Sequence, residues 1–214
     1  MLNETELKLQ LQSEGEFERI LAWCEKNLGP SSRLEQRDEY YDTPREDLRK
    51  QDLSLRIRRA NGRVLIAMKS PRVFLTETIH DRIELEFTAA DSNEVTKTIN
   101  RYGLRATAVT EKRRREFQQD DFKVLVDSLP FIGHFVEIEA PTVERINQIV
   151  DMLGLSRRQG VNRNYSELLE EKLAEIELPL RPNLRATFQD EAKWRSNQTS
   201  APSGSSAQNE SKSV

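Results

Sequence analysis

The sequence predicts an α+β fold: an eight-stranded antiparallel β-barrel, or tunnel, with a polar, charged interior and helices packed outside. Three observations predict it. Eight short segments alternate charged and apolar residues, so each strand offers one charged and one apolar face. Tight-turn signals join several consecutive segments, which makes those neighbours antiparallel. Helix-periodic segments with apolar stripes interrupt the strands and can cover the apolar faces, leaving the charged parity inside. A closed barrel of about eight strands has room for inward side chains and one small ligand.

In chain order, strands are predicted over Asn3–Gln10, Gln36–Tyr41, Leu53–Arg59, Arg63–Lys69, Thr78–Phe87, Val109–Gln118, Phe122–Ser128 and His134–Ala140. Asn61-Gly62 is a hairpin signal, and Gln119-Asp120-Asp121 and Leu129-Pro130-Phe131-Ile132-Gly133 join the last three strands. Glu14–Leu28 reads as a helix with Phe17, Ile20, Leu21, Cys24 and Leu28 on one stripe, stopped by Gly29-Pro30. Ser92–Tyr102 follows, with Ser92 as N-cap and Gly103 as stop. Thr142–Leu153 and Arg163–Ile176 complete the helices. Pro179 and Pro182 close the folded part, giving a domain over residues 1–178 and a C-terminal tail over 179–214. From about Gln198 the tail lacks an apolar pattern and is expected to be disordered, while Phe188 and Trp194 either dock or stay loose.

Composition narrows the function classes. The chain is 36% hydrophobic and 32% charged, and its 33 basic and 36 acidic side chains leave a net charge of −3. That balance argues against nucleic acid as a partner, and no polybasic run marks a membrane tether. The cluster Lys112-Arg113-Arg114-Arg115 sits inside an alternating strand. Cys24 is the single cysteine, expected as a buried small hydrophobe, so no intrachain disulfide forms and a structural zinc site is not expected. The N-terminus is polar, and no apolar run approaches membrane-spanning length. A cytoplasmic protein, monomer or homodimer, is the expectation.

The charged parity carries the chemistry. Glu4 and Glu6 on one strand and Glu137 and Glu139 on another form a hard-oxygen set suited to Mg²⁺ or Mn²⁺. Lys8, Arg37, Arg56, Arg58, Lys69, Arg82, Lys112 and Arg114 suit phosphoryl oxygens, which Arg can bind bidentately. Any one such strand is ordinary as an exposed face. Repetition on one parity is not, because burying so many charges is costly unless they pair or bind ions. A ligand that needs both sets is a metal-chelated polyphosphate. Asp127 shares the inward parity and is either a fifth metal ligand or a structural carboxylate; Arg163 either closes the tunnel mouth over the substrate or caps a helix. His80 is expected at a strand edge and His134 in support of a turn.

Glu4-x-Glu6-x-Lys8 resembles the ExExK signature of the CYTH superfamily, the triphosphate tunnel metalloenzymes. Tyr40-Tyr41-Asp42-Thr43-Pro44, Leu55-Arg56-Ile57-Arg58, Met68-Lys69-Ser70-Pro71, Glu111-Lys112-Arg113-Arg114, Gly133-His134-Phe135-Val136-Glu137-Ile138-Glu139 and Tyr165-Ser166-Glu167-Leu168-Leu169 are similar to its later pieces, in its order. The last two look most like the branch with class IV adenylyl cyclases, and the Tyr-Tyr-Asp-Thr piece is also similar to thiamine triphosphatases. The resemblance runs from about Asn3 to Lys172 and implies a tunnel in which Glu4, Glu6, Glu137 and Glu139 hold metal. It implies that Lys8, Arg56, Arg58, Lys69, Lys112 and Arg114 cradle a triphosphate, and it gives Tyr40 and Lys69 the positions of a tyrosine–lysine pair implicated in triphosphatase catalysis.

Three functions compete. The expected one is metal-dependent hydrolysis of an inorganic or organic triphosphate such as tripolyphosphate, thiamine triphosphate or ATP. The alternative is a class IV adenylyl cyclase, in which the ribose 3′-hydroxyl attacks the α-phosphorus of ATP and releases cyclic AMP and pyrophosphate. A non-catalytic polyphosphate-binding module ranks last, because the carboxylate set is complete. Adenine specificity needs a dedicated set of hydrogen-bond partners, and no motif supplies one.

Overall fold

The computed structural model describes the backbone of residues 2–200 and the side chains of residues 5–199. Its strands are β1 (Leu2–Gln10), β2 (Ser32–Asp42), β3 (Ser54–Ala60), β4 (Arg63–Lys69), β5 (Val73–Phe74), β6 (Ile79–Ala89), β7 (Arg105–Gln118), β8 (Lys123–Leu129), β9 (Gly133–Glu139) and β10 (Leu184–Ala186). Its helices are α1 (Glu14–Asn27), α2 (Asp47–Lys50), α3 (Ser92–Arg101), α4 (Val143–Met152), α5 (Tyr165–Glu175) and α6 (Phe188–Ser200). Eight antiparallel strands run β1-β9-β8-β7-β2-β3-β4-β6, and β6 pairs back onto β1, so the barrel is closed as the alternation predicts. β5 adds to β6 beyond the end of β4, and β10 lies parallel to β7.

Local chemistry explains the joints. Asn61 and Gly62 both take positive φ, 48° and 77°, as a tight hairpin between β3 and β4 requires. Ser13 caps α1 and Thr142 caps α4 through their side-chain oxygens. Asp91, not Ser92, caps α3, because its carboxylate reaches the Asn93 and Glu94 amides. Asn164 and Glu167 form a reciprocal capping box at the start of α5.

The largest apolar core lies outside the barrel wall. Leu7, Leu9, Val124, Val126, Val136 and Ile138 turn outward and pack against Ile20 and Cys24 of α1 and Ile146, Ile149 and Val150 of α4. Full burial of such side chains stabilises by roughly 1.5–3 kcal/mol each. A second cluster joins Leu169 and Leu173 of α5 to Leu184 and Ala186 of β10, with Tyr40 and Phe131 at its border. With the apolar parity outside, the charged parity faces in.

The chain departs from expectation at its C-terminal end. A boundary at residue 178 leaves out β10 and α6, whose Trp194 meets Phe131 edge-on at 6.2 Å. Three-residue β10 and the polar α6 carry too little periodicity to be read without the partner strand β7. The expected disorder from Gln198 falls mostly on residues 201–214, outside those described. Among the described residues no helix is long and apolar enough to cross a membrane.

Candidate functional site in the barrel interior

The barrel encloses a cavity of about 760 Å³ lined by Lys8, Arg56, Arg58, Lys69, Arg82, Lys112 and Arg114, and by Glu6, Glu84, Glu86, Glu137 and Glu139. Parity places them. On β3, Arg56 and Arg58 point in while Ile57 is buried on the outer face. On β7, Lys112 and Arg114 point in, while Arg115 reaches out to Ser31 of the β2 approach and Glu25 of α1.

Two carboxylates that do not reach the cavity surface organise these cations. Asp38 of β2 accepts from Arg58 Nε and Nη2, both at 2.8 Å, and lies 3.7 Å from Arg56 Nη1. Asp127 of β8, fully buried, accepts from Arg114 Nε at 2.7 Å and Nη2 at 2.6 Å, from Lys112 Nζ at 3.4 Å and from the Tyr165 hydroxyl at 2.9 Å. These are fork-to-carboxylate pairs, which fix a guanidinium's plane as well as neutralising it. Glu137 bridges Lys8 Nζ at 3.3 Å and Arg114 Nη2. Glu84 bridges Lys69 Nζ at 2.6 Å and Arg56 Nη2 at 3.0 Å.

Electrostatics follow from this packing. Burial favours the neutral acid at Glu6, but a His80 hydrogen bond and the nearby Lys69 and Lys8 outweigh it and hold its pKa at about 2. Burial likewise opposes ionisation of Asp38, Asp127 and Glu137, and the arginines beside them depress all three below the usual carboxylate range. Lys112 goes the other way. Burial first, and then the Arg114 charge, bring its pKa down to about 7.

Lys112 gives a pH signature with a definite sign. Its folded pKa lies below its unfolded one, so the unfolded chain holds the extra proton between about pH 7 and pH 10. The stability of the ligand-free protein is expected to rise with pH through the lower part of that window. Lys112→Met should remove this rise in melts recorded from pH 7 to 9. An identical slope in the variant would assign it elsewhere.

The predicted site residues divide as follows. Glu6, Lys8, Tyr40, Arg56, Arg58, Lys69, Arg82, Lys112, Arg114, Glu137 and Glu139 all line the one cavity. Glu4 lies in β1 opposite Arg82, and its side chain falls outside those described. Arg37 is a correction. It occupies the outer parity of β2 and binds Glu111 at 2.9 Å on the barrel's exterior. β2 is polar on both faces, so charge alone gave no parity there; the inward residues are Gln36, Asp38 and Tyr40. Arg163 is a second correction, because its side chain turns out to Glu171 and only its carbonyl meets Lys8. Asp127 is absent from the cavity wall, and Arg114, Lys112 and Tyr165 occupy its oxygens, the contacts a structural carboxylate makes. His80 is not at an exposed edge: it is buried, with Nε2 3.0 Å from Glu6 Oε1. His134 does support its turn, through Ser128 at 2.9 Å.

Sequence reasoning missed Asp38, Asp52, Arg72 and Arg181. Arg72, just before β5, joins Asp52 at 2.9 Å to Glu167 at 3.0 Å, tying the β5 approach to the start of α5 across one end of the cavity. Only Asp38 had a sequence signal, its shared parity with Tyr40.

The CYTH domain profile matches residues 2–165, which cover every inward-facing strand. The chain belongs to the CYTH family. Among CYTH relatives, it is 28% identical over 184 residues to the adenylate cyclase CyaB of Aeromonas hydrophila, covering 79% of this chain and 90% of that one. The PH1819 protein of Pyrococcus horikoshii OT3 superposes with a TM-score of 0.65 at 27% identity, covering 79% of this chain and 99% of that one. The Hippeastrum protein HpAC1, described as having a dominant triphosphatase activity, shares the fold at a TM-score of 0.59 and 16% identity, with 85% and 99% covered. The chain is thus similar in sequence to a relative named for cyclase chemistry and in fold to a protein described for triphosphatase activity.

Proposed function

We propose that this CYTH barrel binds a metal-chelated triphosphate in its cavity and hydrolyses it. The observation that carries this reading is the cation wall: Lys8, Arg56, Arg58, Lys69, Lys112 and Arg114 converge on one cavity from separate strands. Arg56 Nε is buried there without a hydrogen-bond partner. Buried donors left open in a cationic cavity suit an incoming anion.

The donor set fits a hard divalent cation. Glu6 and Glu139 are directly opposed across β1 and β9, with Glu137 two residues away on the same face. Opposed like charges are unfavourable unless a cation stands between them. Among the described residues no three carboxylates already converge, because Glu6 faces His80, Glu137 faces Lys8 and Glu139 faces Lys123. Mg²⁺ or Mn²⁺ would be held by Glu6, Glu137 and Glu139, with Glu4 on the same strand as Glu6, and would neutralise part of the triphosphate charge.

The chain's own residues then bind and orient. Arg58 and Arg114, locked in plane by Asp38 and Asp127, present fixed donors to phosphoryl oxygens. In hydrolysis a water oxygen attacks the terminal phosphorus and the bridging P–O bond breaks. Orthophosphate and the shortened phosphate leave with the water's protons on the phosphate products, and charge builds on oxygens facing these cations. Lys69, held by Glu84, and Tyr40 line the same wall and are proposed to position the terminal phosphoryl group.

Hydrolysis is favoured over cyclisation by the state of the aromatic walls. Tyr165 carries Lys8 Nζ 4.3 Å and Lys112 Nζ 5.1 Å from its ring centre, and Tyr40 lies under Arg181. Rings covered by cations are poor stacking platforms for adenine. The likeness to CyaB is what keeps cyclisation in view. Incubation with tripolyphosphate, thiamine triphosphate or ATP, each with Mg²⁺ or Mn²⁺, decides the matter. Orthophosphate release without cyclic AMP is expected. Cyclic AMP as the main product from ATP would replace this reading with the cyclase.

A further inference from the structure

Arg181 lies beyond the residues that match the CYTH domain, between α5 and β10. Its side chain nonetheless lines the cavity and is only 7% exposed. Nη1 donates to Thr107 Oγ1 at 2.7 Å, and the guanidinium stands over the Tyr40 ring with Cζ 5.7 Å from its centre. The Glu170 carboxylate stands off at 3.9 Å, and Nε is buried with no hydrogen-bond partner. The contrast with Arg58 and Arg114 is plain, because each of those has a carboxylate fitted to its fork.

A guanidinium has five N–H donors, and leaving even one buried donor unmade, here Nε, is costly unless an acceptor arrives. The packing shows where that acceptor would sit. Tyr40 follows Asp38 by two residues on β2, roughly 6–7 Å along the strand from the Arg58–Asp38 pair and opposite Arg56 of β3. Arg181 therefore joins Arg56 at the Tyr40 level, to one side of the Arg58–Arg114 cluster. The turn that carries it is fixed by β10 on β7 and by Leu178 and Leu184 in the α5 cluster.

We infer that the C-terminal extension is part of the ligand site, with Arg181 as an anion-binding residue for the phosphoryl group furthest from the Arg58–Arg114 cluster. The inference rests on the triphosphate reading and deepens it: chain length is read at the Tyr40 end. A two-phosphate ligand held by the central cluster falls short of Arg181, while a three-phosphate ligand reaches it.

The test is calorimetric titration of the full chain with the non-hydrolysable, methylene-bridged analogues of tripolyphosphate and of pyrophosphate, each with Mg²⁺, so that binding is read without turnover. Arg181→Met is expected to weaken the tripolyphosphate analogue roughly tenfold, as for one charge-assisted contact, and to leave the pyrophosphate analogue within about twofold. Equal weakening of both ligands would show a packing role through Tyr40 and overturn the inference, as would unchanged affinity for the tripolyphosphate analogue. Arg181→Lys keeps the charge without the fork; should the Met variant fail to fold, the Lys variant carries the same comparison, with a smaller but still length-dependent loss expected. Absence of binding of the tripolyphosphate analogue by the wild-type protein would instead bring down the triphosphate reading, and this inference with it.

Discussion

Glu137→Gln is expected to lower tripolyphosphate hydrolysis by about 10²-fold or more while the protein stays folded. The carboxylate lies on the cavity wall with Lys8 on one side and Arg114 on the other. In the proposed site it is also a metal ligand next to the opposed Glu6–Glu139 pair. A neutral amide keeps the shape and, through its single oxygen, accepts from Lys8 or from Arg114, but it is a far weaker ligand for a hard cation. Loss of several kcal/mol of transition-state charge stabilisation is a hundredfold or more in rate. Arg114 retains both Asp127 oxygens, so the fold keeps its main cation anchor. The checks are phosphate release against Mg²⁺ concentration and a melting curve. Chelation by EDTA should silence the wild type, with Mg²⁺ or Mn²⁺ restoring it. Full activity of Glu137→Gln, or of metal-free wild type, would remove the metal from the proposal.

The barrel was legible because its two periodicities are clean. Strands such as Leu53–Arg59 and His134–Ala140 hold an alternating centre, Leu55-Arg56-Ile57-Arg58 and Val136-Glu137-Ile138-Glu139, and their edges fall within a residue or two of β3 and β9. The inward cations were legible for the same reason, since Arg56 and Arg58 alternate with Leu55 and Ile57. β2 defeated the rule, because Glu35-Gln36-Arg37-Asp38-Glu39 is polar at every position. Its outer side chains meet water and partners such as Glu111 and Arg59 instead of a helix, so nothing required them to be apolar. Arg72 and Arg181 were invisible for another reason. Both sit in irregular segments, where the contact to the cavity end is set by tertiary packing and no local period records it.

The division of labour among the acidic residues also follows from depth. Carboxylates on the cavity wall face a space that a ligand can enter, whereas Asp38 and Asp127 lie behind the cations and aim them. Such a layer makes the site rigid before substrate arrives, which limits the reorganisation needed as charge develops. Sequence parity places both layers on the same face and cannot separate them; only burial does.

Asp127→Ala is expected to destabilise the ligand-free protein by about 3–5 kcal/mol, because it strips the acceptor from buried Arg114 and Lys112 and from the Tyr165 hydroxyl together. In a domain of this size that is roughly a 6–20 °C fall in melting temperature. Asp127→Asn, which keeps one oxygen for Arg114 or Tyr165, should fall between. Hydrolysis should drop in both variants with little change in the Mg²⁺ concentration that gives half-maximal rate, since Asp127 orients the cradle and does not touch the ion. If Asp127 were instead a metal ligand, the variants would need more Mg²⁺ and would melt near the wild type without it. A titration of rate against Mg²⁺, run beside the melts, separates the two roles.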